Sequence, residues 1–347
     1  MEAVAQLSSV SLSTVSLVLR DKPGINAETR KRVLEAARTL GYQRKYVTDL
    51  QSSEPLTQVG LVIKSREGDT PQANQFYAPV ITGIEAACRK QRINLLYATI
   101  QVDEENRPIE LPRLFFDAHV DGVLFVGAFA DEGVMQAAQE KSIPLVLVDA
   151  YTPKPIYDSV VTDNVQGASE AVQHLIAQGH RHIGLVGTLP HTYASIEERR
   201  TGYRQALNDH GITEVYFGDS RCQVDQACEA TIKLLRRHPQ ITALFGGNDV
   251  SAIGVLRAAQ ALDRKVPDDL SVIGFDDIDL AQHVVPPLTT MQVDKITMGR
   301  IAVQVLTNRV EFPEAARMTT VICPRLIERQ SVMPPSTTPF PLSTSGS

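Results

Sequence analysis

Polar side chains of related chemistry recur at the ends of apolar runs. Asp149 follows 144–148, Asp163 and Asn164 follow the run from 159, Asn248 and Asp249 follow 241–247, and Asp276 follows 270–275. Arg199 lies near the start of a helical stretch. Carboxylates accept hydrogen bonds from hydroxyls, an arginine donates two directed ones, and an amide does either. That set suits a polyol. Asp or Asn after a strand is also a common helix cap, a role expected of Asp249 or Asp163 ahead of ligand contact. GxSxG, a P-loop and HExxH are absent, so an enzyme is not expected. Cys88, Cys222, Cys228 and Cys323 make no pair of CxxC motifs. Asp276, Asp277, Asp279 and His283 span a strand-to-helix loop with no second ligand cluster, so neither a metal nor a cofactor is expected. His180 and His182 alternate across a strand start, one facing inward and one outward.

The elements that must position these groups follow from hydrophobic periodicity. Apolar runs at 58–64, 94–100, 122–128, 144–149, 159–163, 182–188, 241–247 and 270–276 read as strands, and amphipathic stretches at 77–91, 167–178, 196–210, 224–238 and 251–263 read as helices. Continuous apolar strands separated by helices imply parallel sheets covered on both faces. This pattern is too long for one sheet. Two open α/β lobes leave a cleft at the carboxyl ends of their strands, where such folds bind ligands.

The first forty residues differ. Val4 and Leu7 lie on one face of a short helix, Ser11 caps a second helix over 12–19, and Asn26 caps a third that carries Arg30, Val33, Ala37 and Leu40 to Gly41. Two short helices across a tight turn, braced by a third, form a helix-turn-helix unit. Residues 1–50 hold eight basic and five acidic side chains, a net +3, whereas the whole chain of 347 residues carries −6. The head therefore attracts phosphate although the body is acidic. No apolar run reaches the roughly 20 residues that cross a bilayer, and no secretory signal is visible, so a cytoplasmic protein without membrane contact is expected.

Val4-Ala5-Gln6-Leu7-Ser8-Ser9-Val10-Ser11-Leu12-Ser13-Thr14-Val15-Ser16, then Asn26–Val33 and Leu40-Gly41-Tyr42, closely resemble the headpiece of the LacI/GalR family of transcriptional repressors. His180-Arg181-His182-Ile183-Gly184, Glu198-Arg199 with Gly202-Tyr203, Asn248-Asp249, Val272–Asp277 and Pro287–Thr290 resemble, in order, its effector domain. The resemblance implies a small all-α helix-turn-helix headpiece followed by a two-lobed α/β body like a periplasmic binding protein. It implies a homodimeric repressor on a pseudo-palindromic double-stranded DNA operator, controlled by a small molecule, a sugar or sugar derivative, in the interlobe cleft. The alternative is a solute-binding protein without DNA-binding activity.

Carried over residue by residue, the resemblance makes Leu12, Ser13 and Leu17 base readers. Ser11, Thr14, Ser16, Thr29 and Tyr42 become phosphate contacts, and Leu50 the minor-groove wedge of a hinge. Asp149, Asn164, Arg199, Asn248 and Asp276 match effector positions, with Phe76 and Tyr77 on an aromatic-bearing loop. Ser9 replaces the usual turn glycine, Leu17 stands where relatives have an arginine, and Gln51 occupies the hinge leucine position. The stacking aromatic of the opposite lobe aligns near 221–223, where this chain has none. The expected domains are a headpiece over 1–45, a hinge over 46–57, an effector and dimerisation domain over 58–332, and a disordered tail over 333–347. Within the body, lobe 1 takes about 57–160 and 292–322, and lobe 2 about 161–291 and 323–332.

Overall fold

The computed structural model describes residues 2–11, 14, 15, 18, 25–39, 56–66, 74–116, 119–154 and 156–336. The chain divides into two compact units, 1–55 and 56–347. In the first, α1 (Glu2–Leu7) and α2 (Ala27–Thr39) flank a second helical stretch in which Thr14, Val15 and Val18 are described. Ser11 Oγ accepts from Thr14 N at 3.1 Å, and Asn26 Oδ1 accepts from Thr29 N at 2.7 Å. Each satisfies a backbone donor that a helix start leaves without an intrahelical partner. Val4, Ala5, Val15, Val18, Val33, Ala36 and Ala37 form the core.

Leu7 departs from expectation. It is 53% exposed, because the buried stripe of α1 runs through Val4, Ala5 and the following Ser8, whose hydroxyl donates back to Val4 O at 2.5 Å. Ser9, where the family has glycine, sits at φ 50°, a left-handed conformation that costs any residue with a Cβ. Ser9→Gly is therefore expected to stabilise the headpiece by about 0.5–1 kcal/mol, read as a raised urea midpoint of the isolated headpiece transition.

In the second unit, β1 (Gln58–Ser65), α3 (Tyr77–Gln91), β2 (Asn94–Gln101), β3 (Gly122–Val126), α4 (Glu132–Glu140), β4 (Leu145–Val148) and β5 (Asp158–Thr162) begin one lobe. The chain then enters a second with α5 (Asn164–Ala177), β6 (Ile183–Val186), α6 (Ala194–Asp209), β7 (Tyr216–Gly218), α7 (Val224–Arg237), β8 (Ala243–Gly246), α8 (Asp249–Ala261), β9 (Ser271–Asp276) and β10 (Thr289–Gln292). It returns with α9 (Lys295–Glu311) and β11 (Thr319–Ile322), and crosses once more to β12 (Arg325–Ile327). The two sheets have the orders β11-β5-β4-β3-β1-β2 and β12-β10-β9-β8-β6-β7. Every pairing is parallel except β10 with β12. β3 and β4 are buried along their whole length, which is why their sequences are unbroken apolar runs.

Helix α9 packs on α3 at backbone distance. A Cβ on Gly83 would lie 2.1 Å from Ile296 O, and one on Gly299 2.1 Å from Val80 O. This close crossing ties the returning segment to the first lobe. The expected tail boundary also needs correction. Met333 N donates to Ser271 Oγ at 3.1 Å, and its carbonyl accepts from Ser271 Oγ at 2.9 Å and pairs with His180 Nε2 at 3.0 Å, so residue 333 is fastened to the body. Residues 337–347 lie outside the described residues. Among the described residues, no helix is long and apolar enough to cross a membrane.

Candidate functional site

Parallel strands deliver their carboxyl ends to the same edge of each sheet, and in both lobes that edge faces one cavity of about 630 Å³. β1 ends toward Lys64 and Arg66, β4 runs into Asp149 at φ 46°, β9 ends at Asp276 at φ 108°, and β8 is followed by Asn248. Arg199 comes from the second turn of α6. Each of these lines the cavity, with Phe76 and Tyr77 at the start of α3.

Arg199 is held on every side. Its Nε donates to Asn164 Oδ1 (2.9 Å), Nη1 to Gly247 O (2.8 Å) and Nη2 to Asp276 Oδ1 (2.9 Å), and its guanidinium lies 3.8 Å over the Phe275 ring. Burial pushes the Asp276 carboxyl up, against the pull of Arg199 and Lys295. Lys295, buried at the start of α9, donates to the carbonyls of Asp276 and, at 3.0 Å, Asp277. A cation from the first lobe thereby caps the strand end that presents Asp276.

Asn248 is the N-cap of α8, its Oδ1 accepting from Ser251 N (2.9 Å) and Oγ (2.8 Å), so its amide N–H groups are what it can offer a ligand. The capping role expected of Asp249 thus falls to its neighbour. Asp249 is fully buried, accepts from Thr290 Oγ1 (2.5 Å) and Ile278 N (2.8 Å), and is pushed up to about 8 by burial and then by Asp276. Asp163 caps α5 through Gln166 N at 3.0 Å, as expected.

Asn164 is the one expected effector residue that does not line the cavity. It stands behind the wall, where Nδ2 donates to Glu198 Oε2 (2.9 Å) and Tyr151 OH (3.2 Å) while Oδ1 holds Arg199. Its place at the end of β5 fitted the strand-end rule, but its side chain is taken up by Glu198 and Arg199 of α6. Asp277, weighed as a metal ligand, is paired with Arg329 at 2.7 Å. Of the two histidines, His180 is buried against Thr242 and His182 is half-exposed beside Glu214.

The structure also places residues that sequence reasoning missed. Lys64, Arg66, Asn106, Arg107, Phe129, Tyr151 and Tyr193 line the same cavity. Lys64 and Arg66 obey the strand-end rule and could have been found by it. Tyr193 lies in the loop before α6 and carried no sequence signal, yet it supplies the distal lobe with the aromatic ring absent near Cys222. The Lys64 ammonium is 5.0 Å from the Tyr77 ring centroid and 5.1 Å from that of Tyr193.

Asp149 accepts from Tyr77 OH at 2.8 Å and is pushed up to about 6, chiefly by burial, with Lys64 opposing the shift. A carboxyl raised above its ordinary value near 4 is neutral, and a poorer acceptor, below its folded pKa. Ligand affinity is therefore expected to fall by up to about tenfold per pH unit as pH drops below 6, and Asp149→Asn to flatten that dependence. Titration calorimetry between pH 5 and 8 checks this. A flat wild-type profile removes Asp149 from the ligand contacts.

In the first unit, Ser11 is exposed, and Thr14 and Thr29 are half-buried at their helix starts. Leu12, Ser13, Ser16, Leu17, Tyr42 and Leu50 lie outside the described residues.

Residues 1–45 match the family described as bacterial regulatory proteins, lacI family, and residues 172–332 match a periplasmic binding protein-like domain. The chain is 32% identical to catabolite control protein A of Priestia megaterium, over 94% of this chain and 97% of that protein. It is 30% identical to the HTH-type transcriptional repressor PurR of Aliivibrio salmonicida, over 95% of this chain and 97% of that one. The solved complex of transcriptional regulator CelR with cellobiose is similar at a TM-score of 0.69 and 31% identity, covering 95% of this chain and 98% of that one. With a helix-turn-helix head, two α/β lobes and relatives matched along nearly the whole length, the chain belongs to the lacI family of bacterial regulatory proteins.

Proposed function

We propose that this repressor binds a carbohydrate in the cavity between its lobes and that the bound ligand changes its affinity for operator DNA. The observation that carries the reading is the Arg199–Asp276 pair, buried at one wall of a cavity whose other walls bear aromatic rings from both lobes. Directed donors and acceptors fix sugar hydroxyls while aromatic faces cover the ring. CelR, solved with cellobiose, supports a sugar. Asp149, Arg199, Asn248 and Asp276 contact the ligand, Phe76 and Tyr77 flank it, and Asn164 positions Arg199. Coupling arises because the ligand bridges two lobes and so favours one lobe arrangement over another.

The headpiece, residues 1–45, reads DNA as part of a homodimer on a pseudo-palindromic site, with 46–57 as its hinge. Leu12, Ser13 and Leu17 face bases, and Leu17 favours a thymine methyl over the guanine that an arginine would read. Ser11, Thr14, Ser16, Thr29 and Tyr42 contact phosphates, and Leu50 is the minor-groove wedge. Ser11, whose oxygen accepts from Thr14 N, combines helix capping with phosphate contact. The chain is a regulator rather than an enzyme and acts in the cytoplasm.

Selection of duplexes from a random pool at two salt concentrations, with a variant lacking residues 1–55 as control, tests the DNA half. A palindrome enriched only by the full chain, with affinity falling as salt rises, supports the repressor. Equal binding without residues 1–55, or no enrichment at all, sinks it in favour of a solute-binding protein.

A further inference from the structure

The lobes touch each other directly as well as through the strands that cross between them. At the crossover, Tyr151 OH of the first lobe donates to Glu198 Oε2 at 2.9 Å beside Asn164, the first residue of α5, so this contact belongs to the pivot. Three others join loops that follow the strand ends. Arg66, just past β1, donates to the Tyr193 hydroxyl of the distal lobe and to Asn106 Oδ1 of its own lobe at 3.0 Å. Arg221 of the distal lobe pairs with the Glu104 carboxylate and donates to the Glu104 carbonyl at 3.3 Å. Leu280 N of the distal lobe donates to Gln75 Oε1 at 3.3 Å.

Tyr193 is the centre of this set. Its ring centroid lies 5.1 Å from the Lys64 ammonium and 5.3 Å from the Arg66 guanidinium, both at the end of β1. Two first-lobe cations therefore hold one distal-lobe side chain by its ring and by its hydroxyl. Burial pushes the Tyr193 phenol up, with Arg66 opposing the shift, so it stays a neutral hydroxyl that accepts from the guanidinium.

Each half of the contact is braced on its own lobe. In the first lobe, Asp103 Oδ1 accepts from Glu105 N (3.0 Å) and Arg107 N (2.8 Å), and Asn106 O accepts from Phe129 N at 2.8 Å. In the distal lobe, Leu189 N donates to Ser220 O at 3.0 Å and Thr192 Oγ1 to Leu189 O at 2.7 Å. Tyr193 O then accepts from Ile196 N and Glu197 N in the first turn of α6, at 3.1 and 3.0 Å. Contacts between two braced loops break when the lobes part rather than when one loop bends.

We propose that Lys64, Arg66 and Glu104 of the first lobe clasp Tyr193 and Arg221 of the distal lobe, holding the cleft shut by the protein's own side chains. The clasp sets the fraction of time the cleft is open, and the apparent affinity of any cleft ligand is lowered by that fraction. In that consequence it rests on the reading of the cavity as the ligand site, whereas the clasp itself is independent of which ligand binds.

The test is amide hydrogen exchange of the full chain with no ligand added, read by mass spectrometry on segment 103–108 of the first lobe and segment 188–193 of the distal lobe. Arg221→Glu sets two carboxylates against each other across the cleft. It is expected to speed exchange in both segments by about three- to tenfold, and adding Glu104→Arg should restore the parent rates. The Glu104 side chain is 76% exposed and that of Arg221 24%, so the swap spares the core of both lobes. Tyr193→Phe keeps the ring but removes the hydroxyl that Arg66 reaches, and should speed exchange in 103–108, a segment of the other lobe. Acceleration confined to the lobe that carries the substitution, unchanged exchange, or a swap that fails to restore the rates overturns the clasp and leaves the ligand reading standing. Failure of the carbohydrate reading shows separately, as no heat of binding with sugars, and leaves these exchange rates as they are.

Discussion

Arg199→Ala is expected to weaken ligand binding by about 2–3 kcal/mol, roughly 30- to 150-fold, and to leave an operator complex that added ligand no longer changes. The effect exceeds the loss of one contact because Arg199 organises its surroundings. Without it, Asp276 Oδ1, Gly247 O and Asn164 Oδ1 lose their donor together. Removing one partner of a buried ion pair costs about 3–5 kcal/mol of stability, so the variant should also melt earlier. Its pH dependence identifies the cause. The Asp276 carboxyl, already raised by burial, rises further once the guanidinium is gone. A carboxyl raised in the folded state contributes stability that is complete below its unfolded pKa and lost as pH climbs through the folded one. The variant should therefore lose stability more steeply than the parent as pH rises above the ordinary carboxyl range near 4. Equal slopes in thermal melts, with ligand affinity unchanged, would remove Arg199 from the site.

Arg199 was legible in the sequence because it sits in a motif, Glu198-Arg199 with Gly202-Tyr203, whose order relative to its neighbours is specific. Asp149, Asn248 and Asp276 were legible for a physical reason, since a parallel strand buried on both faces must end before a charged side chain can appear. The same rule located Asn164 without telling a residue that lines the cavity from one that stands behind it. That distinction depends on where α6 lies, and α6 is placed by packing on α5. Tyr193, Phe129 and Arg107 were not legible, because they sit on loops whose paths are set by hydrogen bonds such as Asp103 to Arg107 and Phe129 to Asn106. Helix α4 hid for another reason. Its buried face includes Ala137 and Ala138, too small to raise a periodic signal. Helix α9 carries buried Lys295 and Arg309 at its two ends, where an apolar stripe would be expected.

Those two cations show how the lobes are joined. Lys295 opens α9 by reaching back to the strand end that carries Asp276, and Arg309 closes it by reaching the strand that carries Asp158. One helix thus touches the carboxylate-bearing strand of each lobe. A ligand that moves Asp276 acts on the start of a helix whose body is locked to α3 through Gly83 and Gly299. The link is therefore mechanical, through packed backbone with little room to give.

Arg309→Ala is expected to be the most destabilising single change in the body. Its Nε and Nη2 clasp Asp158 at 2.6 and 3.0 Å, with both side chains almost wholly buried, in a two-pronged arrangement that a lysine cannot reproduce. The remaining guanidinium hydrogens go to the carbonyls of Pro313 and Ala315 at 2.8 Å, Ala316 at 3.0 Å and Phe312 at 3.3 Å. Asp158 also accepts from Met318 N at 2.8 Å. One side chain therefore holds the turn between α9 and β11, the segment that adds the last strand to the first sheet. Its loss strands a buried carboxylate and several carbonyls, at a cost of about 3–5 kcal/mol or roughly 10 °C in melting temperature for a unit of this size. Arg309→Lys should recover only part of this. Because the pair is shielded from solvent, the difference between parent and variant should persist in 1 M salt, where an exposed ion pair would be screened. A variant that melts with the parent would show that the turn is held by packing alone, and a gap that closes in salt would show that solvent screens the pair. The cost belongs to the first lobe and leaves the chemistry of Arg199 untouched, so Arg309→Ala should lower the melting temperature while ligand affinity, measured below the transition, stays close to that of the parent.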